Sequence, residues 1–318
     1  MASNTDSALD QIFTSSFAHS PWKSLARHRN TGGVHRVVTP DGPPAWLITR
    51  HADVRALLLD SRLSTETRHA ATGEYQGFAL PPQLSRHMLN VGPEEHMALR
   101  RAVVPPLAPK NPAELSRRLQ KVTTQLLAGL DTSRPIDFVR EVGIPLPALT
   151  IGAMLELPEH AVMLLRTWAE AVVAPLRPET ERARDTMSGM QRIIGEVAGI
   201  PHSSSGTSSI VADIIRRLQH EPLSTDHTNA LLFYLLFVWY EVLSDAISGG
   251  LLALLDHPEE MAAIKADSTR CPGAIEELLR YTSPQMLAGP RFAVTDFNIG
   301  NARIRRGQCV LLSLAAAR

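Results

Sequence analysis

Apolar and polar positions follow two rhythms along this chain, and the change from one to the other marks its elements. Residues 34–49, VHRVVTPDGPPAWLIT, hold two β-prone runs around a Pro-Asp-Gly turn, which predicts a hairpin. Pro43 and Pro44 follow the turn and predict an edge position, because proline donates nothing to a ladder. The next stretch, RHADVRALLLDSRLS, has the spacing of a short amphipathic helix. From residue 94 to about 218 helical spacing dominates, broken by proline and glycine, as in NPAELSRRLQKVTTQLLAGL and TSSIVADIIRRLQHE. The polar run at 201–209, PHSSSGTSS, reads as a loop inside this helical region.

A long helix is expected from about Thr225, with Ser224 or Thr225 as N-cap, to Leu255. It contains LLFVWYEVLSD (235–245), which places Glu241 at the end of an otherwise apolar run. A carboxylate in a core helix needs a partner, solvent or a chemical task. Two further helices, PEEMAAIKA and CPGAIEELLRYTSP, precede short strands in FNIGNARIRRGQCVLLSLAAAR. The fold class is therefore mainly α with a small β-region. Residues 1–20 read as a disordered polar leader and residues 21–318 as a single domain.

Composition narrows the partners. Lys+Arg and Asp+Glu are equal at 32 each, so no net field draws the chain to nucleic acid or an anionic membrane. The start, MASNTDSALDQ, lacks the features of a signal peptide, and the apolar run at 230–240 is too short to span a bilayer. A cytoplasmic protein is therefore expected. Cys271 and Cys309 are the only cysteines, too few for a disulfide framework or a cysteine-rich zinc site, and no metal ligand set is recognisable.

Taken one by one the chemical signals are bland. Glu277 and Arg280 have the spacing of an exposed helix ion pair, His96 and Arg100 that of a solvated helix face, and Arg291 is a loop arginine. Their order and surroundings say more. GPEEHMALRR, the long helix running into ISGGLLALLDHPEE, AIEELLRYTSP and GPRFAVTDFNIGNARIRRGQCVLLSLAAAR together resemble the bacterial cytochrome P-450 superfamily. The resemblance covers nearly the whole chain and implies the cytochrome P-450 fold, C-terminally truncated. It implies that Glu277 and Arg280 form a buried structural pair and that His96, Arg100 and Arg291 stand where the family meets the heme propionates, as vestiges here.

The same resemblance exposes departures. The family's axial cysteine lies in a glycine-rich loop that should follow the last strand, and neither Cys271 nor Cys309 has that setting, so no cofactor is expected. Aligned on the oxygen-activating helix, Val238 and Trp239 replace the family's small pair and fill the distal site. Glu241 keeps the acid, and Val242 replaces the proton-delivering threonine, so no catalytic set is expected. These changes suggest a chain that has ceased to be a monooxygenase. The function expected first is a heme-free auxiliary protein of secondary metabolism that binds a protein partner, of which a glycosyltransferase is one candidate. A truncated or decayed monooxygenase is the alternative, and a cofactor-free enzyme reusing the old pocket the third possibility.

Overall fold

The computed structural model describes residues 9–77, 80–173, 179–199 and 209–317. Along the chain, α1 (Ser15–His19) and α2 (Pro21–Asn30) lead into the hairpin β1 (Val34–Val38) and β2 (Pro44–Ile48), then α3 (His51–Leu58) and β3 (Leu63–Ser64). Helices follow as α4 (Pro93–Leu107), α5 (Pro112–Ala128), α6 (Pro145–Leu155), α7 (Glu159–Val173), α8 (Glu179–Ala198) and α9 (Ile210–Leu218). The spine comprises α10 (Thr225–Phe233), a π-turn over Tyr234–Val238, and α11 (Trp239–Asp256). After it come α12 (Pro258–Ala266), α13 (Cys271–Thr282) and the strands β4 (Arg291–Ala293), β5 (Phe297–Ile299), β6 (Ala302–Ile304) and β7 (Cys309–Leu312).

These elements sort into two compact units, where the sequence pattern predicts one domain. The first contains residues 1–80, 89–92 and 269–318. Its five-stranded sheet has the order β1-β2-β7-β4-β3, with β2 and β7 parallel. Both faces of the central strands are covered, which is why AWLI and CVLL read as unbroken apolar runs. Leu47, Cys309 and Leu311 point to one apolar cluster, and Trp46, Ile48, Val310 and Leu312 to the other, as the two-residue strand repeat requires.

Two expectations change in this unit. The hairpin is not wholly at the edge: β1 is, but β2 is inside. Proline is tolerated because β2 meets β7 only over residues 46–48, past Pro44 at the strand's first position. The leader is also ordered from residue 9 on. Asp10 bridges to Val37, Ile12 is 2% exposed and α1 follows, so only residues 1–8 of the leader lie outside the described residues.

The second unit contains residues 81–88 and 93–268. Its helices pack in a chain of pairs, α5 on α6, α6 on α7, α7 on α8 and α4 on α9, while the spine lies against α6 and α8. Ser224 caps the spine with its side chain, and His227 closes a capping box in return. Ala230, Leu231, Leu232, Leu235 and Leu236 are fully buried, so the apolar run is a core helix. By length and composition alone the whole 32-residue spine, of which the run at 230–240 is a part, is long enough to cross a membrane. The loop expected at 201–209 lies, but for Ser209, outside the described residues; Ser209 caps α9.

Candidate functional site

The π-turn explains how the spine can be core in its first half and chemical in its second. It inserts one residue into the helix and so rotates the residues beyond it by about 100° relative to a simple helical repeat. Phe233, just before it, and Phe237, within it, have ring centroids 5.7 Å apart with planes tilted by 34°, and Trp168 of α7 meets Phe237 at 4.5 Å and Tyr240, just beyond it, at 5.7 Å. After it, Trp239, Glu241, Val242 and Asp245 are all reached by solvent.

Glu241 makes no ion pair or hydrogen bond among the described residues, and of the alternatives that its position left open the carboxylate reaches solvent. It is nonetheless crowded by protein atoms, and this desolvation raises its pKa. Asp245, one turn further on, is raised from 3.8 to about 6, first by the same desolvation and then by the charge of Glu241. Sequence reasoning missed Asp245. Its i,i+4 spacing from Glu241 was visible, but not that surrounding protein atoms desolvate both. Val238 and Val242 offer no polar group, and the Trp239 indole finds no hydrogen-bond or ring partner among the described residues.

His96 and Arg100 lie one turn apart on α4. The His96 Nδ1–H donates to the Met88 carbonyl at 3.0 Å, and Arg100 is exposed with no ion pair among the described residues. Neighbouring Glu95 pairs with Arg86 and stands 3.4 Å from the buried His227 Nε2. His87, another residue that sequence spacing did not single out, is buried against Phe233 and Tyr234, which pushes its pKa down to about 4.

In the first unit Arg291 opens β4. Its guanidinium donates to the Gly289 carbonyl at 2.9 Å, meets no carboxylate among the described residues, and is desolvated enough to lower its pKa. Cys309 is fully buried in β7 with its thiol pushed up to about 12, and so is no thiolate. Cys271 starts α13.

The Glu277–Arg280 pair forms as expected, with Arg280 Nε 2.7 Å from Glu277 Oε2. It is not buried: the side chains are 58% and 55% exposed. The reason is that α13 buries none of its residues, and Ile275, Leu279 and Tyr281 also face solvent. A recess of about 1110 Å³ in the second unit, lined by Arg134, Glu141, Arg166 and Glu170 among others, includes none of the residues named for chemistry.

No family model matches the chain. Among characterised relatives it is 30% identical over 312 residues to vitamin D(3) 25-hydroxylase of Pseudonocardia autotrophica, covering 96% of this chain and 75% of that one. It is likewise 30% identical over 307 residues to cytochrome P450 monooxygenase PikC of Streptomyces venezuelae, covering 95% and 72%. The structure of ligand-free P450 monooxygenase TamI superposes with a TM-score of 0.82 at 28% identity, over 98% of this chain and 74% of that one. The chain thus spans about three quarters of the length of these relatives.

Proteins of this kind are heme enzymes whose iron takes a cysteine thiolate. That overturns the expectation that no cofactor is involved: the relatives point to heme. Within the first unit one side chain fits its acidic edge: Arg291 is a desolvated basic group with no carboxylate partner among the described residues. Neither Cys309, sealed in its strand, nor Cys271, at the start of α13, has the setting of the iron ligand.

Proposed function

The chain belongs to the cytochrome P450 superfamily, and from that premise we propose that it holds a small organic molecule beside a heme and serves its oxidation in bacterial secondary metabolism, in the cytoplasm. Arg291 carries this reading. A largely desolvated guanidinium whose one protein partner is a carbonyl suits a carboxylate that the chain does not itself supply, such as a heme propionate.

Bound heme would supply the dioxygen chemistry. The rest falls to the chain. Glu241 and Asp245 both hold protons at higher pH than ordinary carboxyls, and Asp245, raised to about 6, can keep and release one where Val242 has no hydroxyl to offer. Trp239 stands as an apolar wall that restricts what fits beside it. The neutral net charge favours an uncharged molecule over nucleic acid.

The test is expression of the full chain with a heme precursor, read as heme per chain by the Soret band. Arg291→Gln should lower heme retention several-fold, while Glu277→Ala, on the exposed pair, should not. Protein that stays free of heme under these conditions sinks the reading.

One observation favours a second reading, an auxiliary protein that binds and activates an enzyme such as a glycosyltransferase. The helix α13 leaves Ile275 55%, Leu279 40% and Tyr281 42% exposed, an apolar surface of the sort that partners cover. Co-expression with a glycosyltransferase of the same biosynthetic setting should raise that enzyme's activity. Leu279→Lys should abolish the gain, and a transferase indifferent to the chain would rule this reading out.

A further inference from the structure

Asp10, His28 and His35 meet in the first unit, and nothing in the oxidation proposed above uses them. His28, on α2, is 1% exposed; His35 lies on β1, and Asp10 is held beside that strand by its bridge to Val37. The turn from α2 to β1 brings the two rings to a centroid distance of 4.8 Å with planes at 79°. Gly33 makes that turn possible. It sits at φ +80°, where a Cβ would fall 2.5 Å from the Arg50 side chain, and its N–H donates to the His28 carbonyl at 3.1 Å.

The hydrogen bonds fix which ring nitrogens carry protons. A carbonyl only accepts, so His28 Nδ1–H donates to Ser24 O at 2.7 Å and His35 Nε2–H to His28 O at 2.8 Å. In the neutral rings the remaining nitrogens, His28 Nε2 and His35 Nδ1, then carry lone pairs. His28 Nε2 nevertheless stands 2.7 Å from Asp10 Oδ2. A lone pair and a carboxylate do not sit that close without a cation between them. A proton on His28 Nε2 would satisfy the pair but leave His35 Nδ1 with no donor among the described residues. One metal ion would satisfy all three.

We propose that Asp10, His28 and His35 form a binding site for a divalent transition ion of the zinc type. Three features support it. The three residues bring ligand atoms within 4.8 Å of one another. Each imidazole is oriented by a bond from its other nitrogen to a backbone carbonyl, the usual arrangement behind a metal-bound histidine. Two nitrogens and a carboxylate oxygen suit zinc, with a fourth position for water on the side where the Asp10 side chain is 40% exposed. Reaching the roughly 3.4 Å between ligands of a tetrahedral ion takes about 1 Å of movement at the partly exposed His35 and Asp10. The ion's role is to pin the segment at Asp10 to α2 and β1, where Asp10 N–H already donates to Arg36 O at 2.8 Å.

The test uses the full chain after chelator treatment, titrated with Co²⁺ and followed by its visible absorption, then displaced by Zn²⁺. One equivalent should bind, and Zn²⁺ should raise the melting temperature. His35→Gln and Asp10→Asn should each weaken binding by about tenfold or more and remove the thermal gain. His160→Gln, an exposed histidine on α7, should change neither. His28 is buried, and its loss can unfold the chain, so the decision rests on His35→Gln and Asp10→Asn, each checked for the parent's circular dichroism. Absence of saturable Co²⁺ binding, or binding that survives both variants, overturns the proposal whatever the outcome of the heme experiment.

Discussion

Glu241 and Asp245 stand one turn apart on α11, and the charge of Glu241 makes Asp245 harder to ionise. Burial raises both, and the charge of Glu241 helps lift Asp245 from 3.8 to about 6. These shifts set the sign of the stability effect. Between pH 4 and 6 the folded chain binds the proton that the unfolded chain has already lost, so stability falls as pH rises through that window and stays low above it. Asp245→Asn should remove this slope and raise stability at pH 7.5. The side chain is reached by solvent, so screening holds the gain to about 1 kcal/mol. Denaturant titrations at pH 4, 5, 6 and 7.5 check it, and a variant with the parent's pH slope would refute the assignment.

The Tyr240 hydroxyl donates to the Ile144 carbonyl at 2.9 Å in a buried setting, and Ser244 Oγ donates to the Gly143 carbonyl at 2.8 Å one turn later. These two bonds tie the spine to the π-turn that runs over Val139–Gly143. Burial first of all pushes the Tyr240 phenol up to about 12, so it stays a donor across the working pH range. Tyr240→Phe should leave the carbonyl without a partner and cost roughly 1–2 kcal/mol, seen as a lower urea midpoint with an unchanged m-value. A midpoint identical to the parent's would mean that water replaces the hydroxyl.

Much of this architecture was legible because local signals and packing agree. The Ser224 cap, the apolar run behind it and the Pro-Asp-Gly turn each describe an element whose burial supports the same assignment. What failed was long-range. Pro44 argued for an edge, but strand order depends on β7, which lies more than 260 residues further along the chain. Glu277 and Arg280 were rightly paired by spacing, but spacing says nothing of what covers their helix. Asp245 and His87 were missed because their properties come from crowding by residues distant in sequence. The metal-type cluster was missed for a similar reason: Asp10 fell in a segment read as disordered, and its partners lie on a helix and a strand.

The exposed Glu277–Arg280 pair makes a prediction opposite to the one its family position suggests. With both side chains more than half in solvent, each change removes a contact that water and salt already weaken. Glu277→Ala and Arg280→Ala should leave the melting temperature unchanged within error in moderate salt. A fall of several degrees in either would show that this face of α13 is covered in solution.

Gly143 and Ser248 test the packing under the spine. A Cβ at Gly143 would lie 2.3 Å from Ser248 Oγ, a hydroxyl that is itself buried without a hydrogen-bond partner, but 3.6 Å from Ser248 Cβ. The obstruction is therefore one oxygen atom. Gly143→Ala alone should force the spine and the π-turn apart and cost about 1–3 kcal/mol, as overpacking does. Ser248→Ala alone removes an unsatisfied buried hydroxyl and should be neutral or stabilising. In the double variant the alanine methyl gains the space that the oxygen held, so the cost of Gly143→Ala should fall by at least half, giving a coupling energy of roughly 1 kcal/mol. Additive effects across the four proteins of this cycle, measured by urea unfolding, would place the strain of Gly143→Ala in the π-turn backbone and not in its contact with Ser248.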